Sequence, residues 1–166
     1  MGVASHDSGV TDWSDEPADR AVMHWWNDEG TADIGRLGIS VASNGFQGHA
    51  TAWMDKGTIT EFRAGLYEYP LNAERPPTLS GGLGADDDYT EHIGIAVAPK
   101  GPFGQVAVAI HLLNDRWPHP RLVGPHEVRV ELLTTYQRLT AFSDDLHQLL
   151  LGHLREVELA AERLLR

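Results

Sequence analysis

The chain has 166 residues, of which 42% are hydrophobic and 22% are charged, a composition typical of one globular domain with its own core. Its 24 acidic and 13 basic residues give a net charge of −11, which disfavours direct binding to nucleic acid because phosphate contacts need clustered Lys and Arg. The chain has no cysteine, so disulfides and thiolate zinc sites are excluded.

The N-terminal part carries most of the excess negative charge. Residues 1–33 contain eight acids and one base, Arg20. Residues 1–20 are rich in Ser, Asp, Gly and Pro and have few large apolar side chains, so we predict a disordered acidic tail there. Such a tail either stays solvated or attracts a basic protein partner. The first residues lack the basic start and apolar region of a signal peptide, so none is expected, and no apolar run approaches roughly 18 residues; we therefore expect a cytoplasmic protein without membrane contact.

Residues 21–26 predict an edge strand that carries two adjacent tryptophans. Trp25 and Trp26 point to opposite sides of an extended chain, so only one of them is expected in the core. The other covers a loop or anchors a partner, since Trp is enriched at interface hot spots.

A hairpin is predicted over residues 34–54, because Asn44-Gly45 is the favoured pair for a type I′ turn. With Ser43 opposite Phe46, apolar and polar side chains separate onto two faces. A helix of about three turns follows, with a predicted capping box at Thr58 and Glu61 and an apolar stripe at Phe62, Leu66 and Tyr69.

Residues 70–90 contain Pro76-Pro77, three glycines within 81–84 and an acidic triplet, which together predict a long irregular connection. The triplet Asp86, Asp87 and Asp88 lacks the spacing and central Gly of an EF-hand. It is interpreted as a solvated acidic loop, and it is also a candidate contact for a basic partner.

The strongest hairpin signal spans residues 91–113, where two runs rich in Val and Ile flank a Pro/Gly segment at 99–104. If that segment is the loop, Ile95 opposes Val108, and His92 opposes His111. Two opposed imidazoles could share a metal ion, with His49 or an acid of residues 86–88 as third ligand. Strand alternation points Glu91 to the other face, which excludes it as a ligand. Paired histidines are mostly structural, so no metal, cofactor or catalytic residue is assigned.

Residues 126–133 predict another strand, and helical spacing of apolar residues starts near Thr134 and runs towards the C-terminus. Gly152 weakens this pattern by about 1 kcal/mol relative to Ala, which leaves one long helix or two helices as alternatives. We therefore predict a single domain over residues 21–151 and a C-terminal helical extension over residues 152–166. The extension packs back on the domain or forms a homodimer. Its apolar stripe comprises Leu154, Val157, Ala161 and Leu164.

The order of elements indicates an α+β fold. We expect an antiparallel β-sheet of about five to six strands built from hairpins. A short middle helix and a long C-terminal helix are expected to pack on one face of that sheet.

Several short motifs resemble small bacterial domains related to the WapI-type immunity proteins. The similarity covers residues 34–151 and rests on the turn Asn44-Gly45-Phe46-Gln47-Gly48, on Trp53, on a helix with Phe62 and Leu66, and on Gly104-Gln105-Val106 at the start of a later strand. The acidic tail, residues 70–90 and the part after Gly152 depart from that pattern.

This resemblance implies a non-enzymatic protein that binds and blocks a toxin domain, many of which have basic clefts. An acidic inhibitor would associate quickly through electrostatic steering. Trp25, Trp26 and Asp86–Asp88 are then the candidate partner-binding residues. Two alternatives stay open: a small metal- or ligand-binding domain or enzyme that uses His92 and His111, and a homodimerisation module built on the C-terminal stripe.

Overall fold

The computed structural model describes residues 19–114 and 126–162, which form eight strands and two helices. In chain order the elements are β1 (Arg20–Asn27), β2 (Ile34–Ser43), β3 (Phe46–Asp55), α1 (Lys56–Gly65), β4 (Thr78–Leu83), β5 (Thr90–Lys100), β6 (Gln105–Asn114), β7 (His126–Thr135), α2 (Tyr136–Leu150) and β8 (Glu156–Ala160).

The strands form two antiparallel sheets of four strands each, so the fold is α+β as predicted. Sheet A has the order β3-β2-β1-β8, and sheet B has the order β4-β5-β6-β7. The expected single sheet of five to six strands is wrong. The two predicted hairpins do not join edge to edge, because each turns its aliphatic face towards the same core.

Two glycines mark where the sheets touch. A Cβ atom at Gly48, near the start of β3, would lie 2.4 Å from Val128 Cγ1 on β7. At Gly81 of β4, a Cβ atom would lie 2.6 Å from the Cε atom of Met54, near the end of β3. Because β7 and β4 are opposite edges of sheet B, β3 runs across that sheet.

The helices contact strands of both sheets rather than one face of a single sheet. Helix α1 packs against β3, β4 and α2, and α2 packs against β1, β7 and β8. The predicted capping box at Thr58 is wrong, because Asp55 at the end of β3 caps α1 by accepting a hydrogen bond from Gly57 N. The buried face of α1 carries Ile59 and Phe62.

The β2–β3 hairpin has the predicted register, with Ser43 opposite Phe46. Asn44 and Gly45 have φ of 50° and 80°, as a type I′ turn requires.

The β5–β6 hairpin has the predicted faces but a register displaced by two residues, so Ile95 opposes Ile110 and His111 opposes Gly94. The strands extend to Lys100 and Gln105, which leaves a four-residue turn. Pro99 is tolerated in β5 because its nitrogen, which has no hydrogen to donate, faces the β4 side of the strand. Strand β4 does not extend as far as Pro99, so no ladder hydrogen bond is lost.

Part of residues 70–90 is strand rather than irregular connection, since β4 pairs with β5 along Thr78–Leu83. Leu79 supplies the only large buried side chain of β4, and glycines occupy two of its other positions. With so few large apolar side chains, β4 shows no hydrophobic alternation, so the sequence pattern does not predict it as a strand.

The predicted helical extension over residues 152–166 is wrong in the part that the structure describes, residues 152–162. Helix α2 ends in a Schellman motif at Gly152 (φ 81°), in which His153 N donates to Gln148 O and Gly152 N donates to Leu149 O. Strand β8 follows and pairs with β1. Its Val157 and Leu159 are buried in this chain's own core, so they cannot form the helical dimer stripe.

Two predictions fall partly outside the described residues: the acidic tail, of which residues 1–18 lie outside, and the C-terminal extension, of which residues 163–166 lie outside. Asp19 and Arg20, also assigned to the tail, are placed: Asp19 accepts a hydrogen bond from Ser43 Oγ, and Arg20 begins β1. None of the helices in the described ranges combines the length and the apolar character needed to cross a bilayer.

Candidate functional site

The two adjacent tryptophans of β1 face opposite sides of sheet A, as alternation predicts. Trp25 packs against the core, and its Nε1 donates to Asn27 Oδ1 at 2.8 Å. The side chain of Trp26 lies on the outer face and is 43% exposed. Of the two candidate partner anchors, only Trp26 therefore offers its ring to a partner.

Trp26 belongs to a row of three side chains across sheet A. In the strand register, Trp26 of β1 is opposite Arg36 of β2, and Arg36 is opposite Trp53 of β3. Trp53 is 54% exposed. We call these residues the Trp–Arg–Trp row. Neither Arg36 nor Trp53 was predicted as a site residue, although the register predicted from the Asn-Gly turn places them opposite each other.

The indole of Trp26 has a fixed position on the sheet. A Cβ atom at Gly38 would lie 2.8 Å from Trp26 Cζ3, so the ring occupies the space that the missing side chain leaves. The imidazole of His24 stacks beside it, with ring centroids 5.8 Å apart and planes inclined by 21°. Arg36 Cζ lies 4.8 Å from the centroid of the Trp26 ring, a cation–π contact.

Arg36 differs from Arg20 on this face in having no anionic partner among residues 19–114 and 126–162. Arg20 lies 3.8 Å from a carboxylate oxygen of Glu158, and His24 lies 3.7 Å from one of Glu156. Within those ranges the stacking on Trp26 is the one side-chain interaction of the Arg36 guanidinium. None of the described residues accepts a hydrogen bond from its N–H groups.

A shallow depression of about 350 Å³ lies further along the same face. Its lining combines polar side chains, those of Arg20, Gln47 and the pair Ser40 and His49, with apolar ones such as Val22. Ser40 Oγ and His49 Nδ1 are 2.9 Å apart. The outer face of sheet A thus combines an aromatic end with an end of mixed polar and apolar character.

The three candidate metal-binding histidines do not meet. His49 lies on β3 of sheet A, whereas His92 and His111 lie on sheet B. The register displacement places Gly94, not His92, opposite His111. No group of three or more His, Asp or Glu side chains within the described parts of the chain is placed to hold a metal ion.

The outer face of sheet B carries a different arrangement around His111. A register shift between Gly81 and Gly82 places Glu91 opposite Gly82 and leaves His92 as an extra residue of β5. Glu91 therefore lies on the face of His111, with Oε1 at 3.3 Å from His111 Nδ1. The exclusion of Glu91 by strand alternation was wrong, because alternation does not hold across a bulge.

A second carboxylate lies on the other side of the same ring. His111 Nε2 is 3.2 Å from Glu127 Oε1, without the alignment of a hydrogen bond. Arg129 Nε donates to Glu127 at 2.8 Å, and this hydrogen bond is the main cause of a lowered pKa for the Glu127 carboxyl, with His111 adding to the effect. The two carboxylates approach opposite ring nitrogens, so they cannot share one metal ion with His111.

Ser80 does not turn this cluster into a nucleophilic centre. Its hydroxyl donates to Glu91 Oε2 at 2.7 Å and lies 2.8 Å from the Tyr89 hydroxyl. In an activated serine the imidazole stands between the hydroxyl and the acid. Here Glu91 stands between Ser80 and His111, so the imidazole does not accept the Ser80 hydrogen bond as it does in such a triad.

The acidic triplet forms a short 3-10 turn, Asp86–Asp88, between β4 and β5, and all three residues are exposed. It belongs to sheet B, whereas Trp26 lies on the outer face of sheet A. The candidate partner-binding residues therefore do not form one continuous group.

No family model matches the chain, and neither a curated protein nor a solved structure matches it. The resemblance to immunity-type domains accordingly rests on the short motifs alone.

Proposed function

We propose that this chain is a non-enzymatic binding protein, an immunity-type inhibitor that holds a toxin-like protein domain against the outer face of sheet A. The observation that carries the proposal is the Trp–Arg–Trp row. Tryptophan and arginine are the residues most enriched at interface hot spots, and here three of them are adjacent on an exposed sheet face.

The rigidity of the row favours binding. Trp26 is held by Gly38, His24 and Arg36, so little side-chain entropy is lost when a partner covers it. A preorganised aromatic anchor of this kind contributes more net affinity than a mobile one. The net charge of −11 adds long-range attraction to a basic partner.

The direct test is a binding measurement with the purified toxin-like product of a neighbouring reading frame. We expect a stable complex with the unmodified chain. Trp26→Ala and Trp53→Ala should each weaken it by about 30-fold or more, since hot-spot truncations cost at least about 2 kcal/mol.

Phe103→Ala is the matched control, because Phe103 is 89% exposed but lies in the β5–β6 turn of sheet B. It should leave the affinity unchanged. The proposal fails if no complex forms, or if Phe103→Ala weakens the complex while the two tryptophan substitutions do not.

The alternative of a metal-dependent or hydrolytic domain is a weaker proposal, because the groups around His111 are arranged in an order that suits neither chemistry. Elemental analysis of the purified protein after incubation with Zn²⁺ distinguishes the two. More than about one equivalent of zinc, lost in His111→Gln, would favour the metal alternative.

A further inference from the structure

We propose that the Trp–Arg–Trp row is a receptor for a single carboxylate, supplied by an Asp or Glu side chain of a protein partner. This inference rests on the proposed binding function and names the chemistry that the same face recognises. The carboxylate would take the donor edge of Arg36, and the aliphatic part of the partner's side chain would pack on Trp53.

The contacts and the exposure of Arg36 support this inference. Its guanidinium is stacked on Trp26 at 4.8 Å and is exposed. No acceptor in residues 19–114 or 126–162 takes its N–H groups. A stacked guanidinium with a free donor edge is preorganised for two parallel hydrogen bonds to a carboxylate.

The pairing of charged residues on the outer face of sheet A also supports a carboxylate ligand. The acids of β8 are already engaged, Glu158 near Arg20 and Glu156 near His24. Strand β8 is not paired beyond Glu156, so it supplies no acid opposite Trp26. Among the described residues Arg36 is thus a positive charge without an acidic partner, and a partner's carboxylate would complete the pattern of the neighbouring pairs.

The net charge of the protein favours a single carboxylate over a chain of phosphates as the ligand. A nucleic acid would bring many negative charges to a protein of net charge −11, and the repulsion would outweigh one arginine contact. A basic protein with a single acidic side chain at its contact surface meets no such repulsion. Global charge then attracts the partner, and Arg36 fixes its position.

The test uses the full chain and a defined probe, N-acetylglutamate, with N-acetylglutamine as the uncharged match. The NMR signals of Arg36 Nε–H and of the Trp26 and Trp53 indole N–H groups report binding at the row. We expect saturable shifts with N-acetylglutamate, with a dissociation constant on the order of 10 mM for one exposed charge-assisted pair. N-acetylglutamine should cause no saturable shift.

Two variants give the specificity. Arg36→Gln should abolish the response, and Arg36→Lys should weaken it because lysine lacks the planar fork. Arg75→Gln is the matched control, since Arg75 is exposed and lies outside sheet A. Unchanged amide signals of β2 and β3 would show that each variant is folded.

The same variants separate this inference from the proposed function. If N-acetylglutamate shifts the row and Arg36→Gln weakens a toxin complex by tenfold or more, both stand. If the probe binds but no toxin complex forms, the receptor stands and the immunity function fails. If a complex forms and neither the probe nor Arg36→Gln has an effect, the receptor is wrong and the function stands.

Two other occupants of the row would overturn the inference. A ten-nucleotide oligothymidylate that shifts the same signals at lower concentration than N-acetylglutamate would identify the row as a nucleic-acid surface. Shifts of those signals that depend on protein concentration alone would identify it as a contact between two copies of the chain.

Discussion

Arg63 of α1 and Ser143 of α2 exchange hydrogen bonds: Arg63 Nε donates to the Ser143 carbonyl at 2.9 Å, and Ser143 Oγ donates to the Arg63 carbonyl at 2.7 Å. Ser143 is fully buried. The two helices are therefore joined by polar contacts as well as by apolar packing.

Ser143→Ala should destabilise the fold by about 1–2 kcal/mol, because the Arg63 carbonyl loses its buried donor. Chemical denaturation measures the change. Thr140→Ala, at an exposed position of the same helix, should stay within about 0.5 kcal/mol of the parent. Equal effects of the two substitutions would show that the hydrogen bonds between Arg63 and Ser143 do not contribute specially to stability.

Gly48→Ala tests the crossing of β3 over sheet B. The added Cβ atom would lie 2.4 Å from Val128 Cγ1, so the sheets must separate or Val128 must change rotamer. We expect a loss of about 1–3 kcal/mol of stability, as for other overpacked cores. Gly30→Ala is the control, since its nearest contact would be 3.7 Å. A neutral Gly48→Ala would show that the two sheets are not in close contact there.

The Glu127 carboxyl gives a prediction about pH. Its pKa lies below the ordinary value of 4.5, chiefly because Arg129 donates a hydrogen bond to it. A carboxyl with a lowered folded-state pKa stabilises the fold above its unfolded pKa, and that contribution is lost as the pH falls below 4.5 and through the folded pKa. Arg129→Gln should raise the pKa of Glu127, as followed by NMR titration of its carboxyl carbon. An unchanged titration curve would mean that Arg129 is not the cause.

The acidic turn should affect the rate of association more than the lifetime of a complex. Neutralising Asp86, Asp87 and Asp88 to Asn should slow association with a basic toxin several-fold at low salt and leave dissociation unchanged. The triple variant Glu61→Gln, Glu68→Gln, Glu74→Gln removes the same charge from exposed positions elsewhere. If both triple variants slow association equally, net charge alone governs the rate and the turn has no special part.

The register of a hairpin could be predicted correctly only where a strong local signal fixed its turn. The β2–β3 register was correct because an Asn-Gly turn leaves one pairing that separates apolar from polar faces. In β5–β6 the same alternation gave the faces, but a shift of two residues preserves them, so the pattern could not set the register. The assignment of Pro99 to the loop made the turn two residues too long.

Two errors came from contacts that are distant in sequence. Residues 156–160 alternate apolar and polar side chains, but Leu154, Val157 and Ala161 also fit helical spacing, and only pairing with β1 decides between them. The Trp–Arg–Trp row likewise depends on three strands being adjacent. The predicted β2–β3 register aligned Arg36 with Trp53, but no local signal in the sequence placed Trp26 beside them.

The pairing of β8 with β1 has a consequence for the outer face of sheet A. These strands come from the two ends of the described chain, so this pairing closes a very long loop and is expected to form late. Strand β8 also brings Glu158 close to Arg20 and Glu156 close to His24. Local opening of this five-residue edge strand would remove both negative charges at once and turn a nearly balanced surface into a cationic one.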